Sequence, residues 1–343
     1  MNEILDNLGF PKPITIGVRH SIADLFPVSK RCGIYVLGFQ NKEYYIGQAI
    51  DVTRRYVQHK QTHDDILKIW FKKTRKDLLN EEERNIIWKL EENGFRLRNI
   101  ALTALPPVES DFDLIVSPED QILWLKNQSS AEQRPVQRPD YNEIRRKYEK
   151  KFKRFLSKPY ASEAIRFLKN YVLTTIPFPQ QSELSFWCTS CLPAYSNPDA
   201  SIYSRVNIYW QEVFTVFYDI EGLGFTFHMS KLPLQKYFGS KLIGLVQKYK
   251  GIRITDHFYK PGGYDQVNLV ADNIKAAERL LCDSVIISSI KDFNLRLMKK
   301  GACVFSRYHC FNLADQFFLN GKNSEDSTEQ RAMKKIPEIP LVE

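Results

Sequence analysis

Apolar and polar positions divide the first hundred residues into short, sharply bounded runs. Gly33–Phe39 is almost wholly apolar, and residues 43–47 form a second run rich in aromatic and β-branched side chains. The polar tripeptide Gln40-Asn41-Lys42 separates them, which predicts a tight β-hairpin. Strand side chains alternate faces. A three-residue loop therefore puts Tyr35 and Tyr45 on one face and Ile34, Val36, Tyr44 and Ile46 on the other. Asp51 reads as the N-cap of a helix running to about His63. Ile66–Lys73 reads as a second helix. Asn80 and Glu83 give a capping-box-like start to a third, which stops at Gly94. Residues 96–105 alternate as a strand. Ser117-Pro118-Glu119-Asp120 opens another helix, with a serine cap, a first-turn proline and acids near the positive end of the dipole. Its apolar face is Ile122, Leu123 and Leu125.

Beyond a polar, proline-containing loop at 127–140, residues 145–158 carry eight basic side chains and one acid. Phe152, Phe155 and Leu156 are interleaved. A helix here would bury those three and present Lys150, Lys151 and Lys153 to a phosphate backbone. The pattern then mixes strands at 213–218, 224–228 and 285–290 with helices at 161–172, 232–249 and 273–281. Fold class is α+β. The expected division is a first domain over 1–144 (core about 30–142), a second α+β domain over 145–320, and a polar tail over 321–343.

Composition sets the broad class. The 343 residues are 43% hydrophobic and 26% charged, which fits a globular protein with more than one core. The net charge of +9 suits a polyanionic partner without proving one. No apolar stretch approaches the roughly 18–20 residues that span a bilayer, so no membrane partner is expected. The N-terminal segment has neither a basic start nor a long apolar core, and no export leader is expected. Six cysteines without such a leader point to a reduced, cytoplasmic protein. Cys188 and Cys191 have zinc-ligand spacing, and Cys303, His309 and Cys310 could complete a set. They lie far off in sequence with no second close pair, so two small core residues is the preferred reading and a structural zinc is not expected.

Gly33-Ile34-Tyr35 and Tyr45-Ile46-Gly47, ten residues apart, carry a resemblance. Together with Arg55, His59 and Glu119 downstream, they resemble the GIY-YIG nuclease family over roughly residues 21–142. The resemblance implies a small three-stranded, mainly antiparallel sheet flanked by helices, and metal-dependent hydrolysis of phosphodiester bonds. Arg55, His59 and His63 recur every four residues and would share a helix face. The family's arginine follows its second tyrosine by the distance separating Tyr45 and Arg55. The histidine one turn later matches His59. The resemblance makes Glu119 the ligand of a single Mg²⁺ or Mn²⁺ ion. It makes Asn142, in Pro139-Asp140-Tyr141-Asn142, the closing asparagine. Residues 128–137 then form an insertion. Gln48 stands where repair-type members have lysine, so it and His63 are candidate nucleic-acid contacts. DNA is the favoured substrate, in restriction or phage defence. The competing readings are a non-catalytic nucleic-acid-binding module that keeps the fold, a toxin-like nuclease and an RNA-directed one. Assembly with a second copy stays open.

Overall fold

A computed structural model describes residues 1–99, 110–127, 138–196 and 199–318. The expected insertion at 128–137 and the tail at 321–343 lie outside the described residues. The fold is α+β, built on two antiparallel sheets.

The first part runs α1 (Asn2–Asn7), β1 (Ile14–Thr15), β2 (Gly33–Phe39), β3 (Tyr44–Ala49), α2 (Val52–Thr62), β4 (Ile66–Lys73) and α3 (Leu79–Glu92). Its sheet has the order β1-β4-β2-β3. That is four strands rather than three, with β1 supplied by the N-terminal lead-in. The expected helix at Ile66–Lys73 is instead strand β4, pairing with β2 from Tyr35↔Phe71 to Leu37↔Ile69. Both faces of the sheet are covered, so its central strands read as unbroken apolar runs rather than alternating ones. On one face Tyr35, Leu37, Ile69 and Phe71 pack with Val52 and Tyr56 of α2. On the other, Ile34, Val36, Ile46 and Trp70 pack with Leu79, Ile86, Ile87 and Leu90 of α3. Of the strand expected at 96–105, the described part lies along the free edge of β3, pairing in parallel at Tyr44↔Leu97. Residues 100–105 lie outside the described residues.

The second part contains α4 (Pro118–Leu125), α5 (Asn142–Leu156), α6 (Ala161–Thr175), α7 (Pro179–Ser182), β5 (Trp187–Thr189), β6 (Ser201–Ile208), β7 (Gln211–Asp219) and β8 (Gly222–Met229). It continues with α8 (Lys231–Phe238), α9 (Ile243–Lys248), β9 (Ile252–Thr255), β10 (Val267–Ala271), α10 (Ile274–Cys282), α11 (Ser284–Lys299) and α12 (Phe311–Phe318). The sheet order is β5-β6-β7-β8-β10-β9. The strand expected at 285–290 is part of α11. Asp283 caps it, accepting from the backbone N–H groups of Val285 and Ile286. Ile286, Ile290, Phe293 and Leu297 recur at helical spacing and are buried. The helix expected at 232–249 is broken at Gly239, whose φ of 86° is open to glycine.

Phe112, Val116 and Trp124 belong to the larger core together with α5, α6 and α11. By packing, the chain from Asp111 onward therefore goes with the second sheet, whereas the division expected from sequence fell near 144. The two parts meet at α3, where the Arg84 guanidinium lies 4.8 Å over Phe258 and Trp88 meets the same ring edge-on at 5.9 Å. No described helix is long and apolar enough to cross a membrane.

Candidate active site

The hairpin register pairs Tyr35 with Gly47 and Leu37 with Tyr45. Tyr35 and Tyr45 are therefore diagonal neighbours on one face, and their rings lie nearly parallel with centroids 6.2 Å apart. The loop closes through Phe39 N–H donating to Glu43 O at 3.1 Å. Lys42, not Asn41, takes the left-handed conformation (φ 62°); the Asn41 side chain accepts from Glu43 N–H instead. Arg98 pins the turn, paired with Glu43 and Asp65 at 2.7 Å each and stacked 3.7 Å over Phe39. Buried Asn99 bonds both backbone groups of Ile46, accepting from its N–H at 2.8 Å and donating to its carbonyl at 2.5 Å. The backbone groups of Ile46 on the outer edge of β3 are thereby satisfied.

Gly47 is a packing requirement. A Cβ there would run into the ring and hydroxyl of Tyr35. Gly47→Ala should cost about 1–3 kcal/mol and displace the phenol. Chemical denaturation would measure this, and unchanged stability would mean the ring moves aside freely.

Asp51 caps α2 through Thr53 N–H at 2.9 Å and Arg54 N–H at 3.4 Å. The helix then delivers Arg55 and His59 on successive turns and ends at Thr62, with His63 its extended C-cap. His59 Nε2 lies 2.7 Å from the Tyr35 hydroxyl, and its ring is 4.5 Å from that of Tyr45. His63 stacks on His59 at 6.1 Å and reaches Arg98 Nη1 through Nδ1 at 3.4 Å. Arg55 is exposed and donates to Gln58 at 2.8 Å. Burial pushes the Tyr35 phenol up, with Tyr45 adding to the effect, while Arg55 opposes it. Burial also raises Tyr45, again opposed by Arg55.

Burial, helped by the charges of Arg55 and His63, lowers His59 from 6.5 to about 4. The imidazole is thus neutral at pH 7 and can accept the phenolic proton. Between these two values the folded chain binds fewer protons than the unfolded one. Stability is then fully present above about 6.5 and falls as pH drops toward 4. His59 is part-exposed and partly screened, so we expect a loss of about 1–2 kcal/mol between pH 7 and 5. Paired melts of wild type and His59→Gln test this. The variant should lose correspondingly less, and equal losses would remove His59 as the cause.

The carboxylate at this site is that of Glu83, on the helix that comes after β4. Gln48 links it to the hairpin, donating to Glu83 at 3.1 Å and to Asn80 at 2.7 Å. Burial raises the Glu83 carboxyl, with Gln48, Lys260 of the larger part and Arg55 pulling the other way. Its charge is in turn felt by both phenols. Tyr35, Tyr45, Arg55 and His59 therefore form one cluster on the α2 face, and Gln48 and Glu83, on the α3 side, are coupled to it through charge.

Two expected members lie elsewhere. Glu119 is exposed on α4, which packs on α11, and it makes no hydrogen bond or ion pair among the described residues. Asn142 is exposed in the first turn of α5, which packs on α12. On α5, Lys150 is exposed, Lys151 donates to Leu192 O at 3.3 Å, and Lys153 pairs with Glu149 at 2.6 Å. The cysteines split into partners. Cys188 Sγ lies 3.7 Å from Cys303 Sγ, and Cys191 meets Cys310. His309 is engaged by Glu183 at 3.0 Å and by Thr189 N–H at 3.2 Å.

The donor chemistry fits one hard divalent cation rather than a closed metal cage. Among the described residues Glu83 is part-buried with no ion-pair partner, and no group of three or more His, Cys, Asp or Glu side chains gathers as a metal site. Mg²⁺ and Mn²⁺ accept a single protein carboxylate when water and phosphate oxygens fill the other positions. No known protein family, no curated protein and no solved structure matches this chain.

Proposed function

We propose that this chain is a metal-dependent endonuclease of the GIY-YIG type that hydrolyses phosphodiester bonds, with DNA as the preferred substrate and restriction or phage defence as its setting. The observation that carries the reading is the bond between the Tyr35 hydroxyl and a neutral His59, with Arg55 beside it and the charge of Glu83 felt by the phenol.

A water attacking phosphorus must lose a proton. The Tyr35 oxygen can take it as the phenolic proton passes to His59 Nε2, leaving an imidazolium. Alone, His59 is a weak base, because burial and Arg55 disfavour its charge. A bound phosphate brings negative charge that offsets Arg55 and favours the imidazolium, so the relay is strengthened by substrate. Arg55 is placed to hold non-bridging oxygens through two N–H groups. Glu83, oriented by Gln48, would hold the Mg²⁺ or Mn²⁺ ion, which supplies Lewis-acid stabilisation of the departing oxygen when bound.

The test is incubation of the purified protein with supercoiled plasmid, linear duplex, single-stranded DNA and RNA, in Mg²⁺, Mn²⁺ or EDTA. Cleavage of DNA in either metal and none in EDTA is expected. Cleavage of RNA alone would overturn the substrate assignment, and intact substrates throughout would overturn the enzymatic one.

A further inference from the structure

A pocket of about 610 Å³ opens in the larger part of the chain, between α5, the β6–β7 hairpin and the turn at Ser306–Tyr308. None of the tyrosine-cluster residues lines it. Its size is that of a small-molecule site, for which about 300–1,000 Å³ is usual. Three features describe its chemistry. The first is aromatic. Trp210 stands at the tip of the hairpin, 57% exposed, on a turn held by left-handed Tyr209 (φ 53°). Tyr308 and Phe305 also line it, and Val304 N–H donates to Tyr209 O at 3.1 Å, which ties their segment to that turn. An indole left this open at a pocket mouth is a stacking platform.

The second feature is charge. Lys147 and Lys151 lie one turn apart on α5 and both line the pocket. Neither pairs with a carboxylate among the described residues; Lys151 reaches only a backbone carbonyl. The one acid on the wall, Glu212, is engaged by Arg205 at 3.1 Å. The pocket is therefore net cationic. The third feature is a buried acceptor. Gln211 is 1% exposed, and its side-chain oxygen has no hydrogen-bond partner. An unpaired acceptor on a pocket wall can accept one further N–H.

We propose that this pocket binds one nucleoside phosphate, its base stacked on Trp210 with an N–H given to Gln211, and its phosphate on Lys147 and Lys151. A lipid chain would leave the lysines and Gln211 unanswered, and inorganic phosphate would leave the indole bare. The same chemistry is offered by a free mononucleotide and by a base turned out of a strand. Either source gives the larger part of the chain a reading site separate from the tyrosine cluster.

The experiment is performed on the full chain in EDTA, so that it does not depend on cleavage. Tryptophan fluorescence and calorimetry are followed on titration with ribo- and deoxynucleoside monophosphates, inorganic phosphate and a short single-stranded oligonucleotide. Saturable binding of a base-containing ligand is expected, without binding of inorganic phosphate. Calorimetric affinity should fall by about tenfold or more in Trp210→Ala, and again in Lys147→Ala/Lys151→Ala, with the unfolding midpoint unchanged. Mononucleotide binding identifies a free ligand, and binding of the oligonucleotide alone identifies a strand. Absence of saturable binding by every base-containing probe, or an affinity that neither variant moves, overturns the proposal.

Discussion

Replacing Glu83 with glutamine should lower metal-dependent cleavage by about a hundred- to a thousandfold, corresponding to about 3–4 kcal/mol of lost transition-state stabilisation. Glu119→Ala should leave cleavage within about twofold, the small effect usual for a surface position that touches nothing reactive. The contrast comes from placement. Glu83 accepts from Gln48 and its charge is felt by the two phenols, whereas Glu119 is exposed on a helix packed against α11. Loss of folding cannot imitate the expected result, because burial already disfavours the charged form of Glu83. A neutral isostere should melt at or above the wild-type temperature. Nucleic-acid binding in EDTA should survive. If instead Glu119→Ala is inactive and Glu83→Gln is not, Glu83 is not the metal ligand.

Tyr35→Phe should reduce cleavage by about 10²–10⁴-fold, the range associated with losing a positioned proton-transfer group. The ring is fully enclosed and its packing is retained, so only the bond to His59 disappears. That leaves Nε2 of a part-buried imidazole without its partner, at a stability cost of about 1 kcal/mol. The pH–rate profile separates roles. In the relay the ascending limb belongs to His59, which must be neutral to receive the phenolic proton, so Tyr35→Phe lowers the rate at every pH and His59→Gln removes the limb. If cleavage by Tyr35→Phe is near wild type while His59→Ala is inactive, the imidazole deprotonates water directly and the relay is discarded.

What could be read in the sequence was local. The hairpin, the α2 cap and the four-residue recurrence of Arg55, His59 and His63 depend on spacing within some thirty residues. The backbone obeys that spacing through His59, and His63 falls just past the end of the helix. Strand β4 escaped because it lies between β1 and β2 with both faces covered, so Ile69, Trp70 and Phe71 are all apolar and no alternation betrays the period. Helix α11 escaped for the converse reason: Val285-Ile286-Ile287 is a β-branched run that tertiary packing holds helical. Glu119 matches the resemblance because it opens a helix and is followed by Ile122 and Leu123; Glu83 sits at a helix start too, but only the contact with Gln48, 35 positions back, singles it out. Asn99 was beyond local reasoning altogether, since its partner Ile46 is 53 positions away.

The missing side chain of Gly47 and the phenol of Tyr35 occupy one shared volume. The two tripeptides are thus halves of a single steric lock, not separate signatures. A lineage that kept the tyrosine while enlarging the glycine would inherit a jammed hairpin. One that lost the tyrosine would free the glycine to drift, so loss of the phenol would be recorded at a residue that carries no functional group.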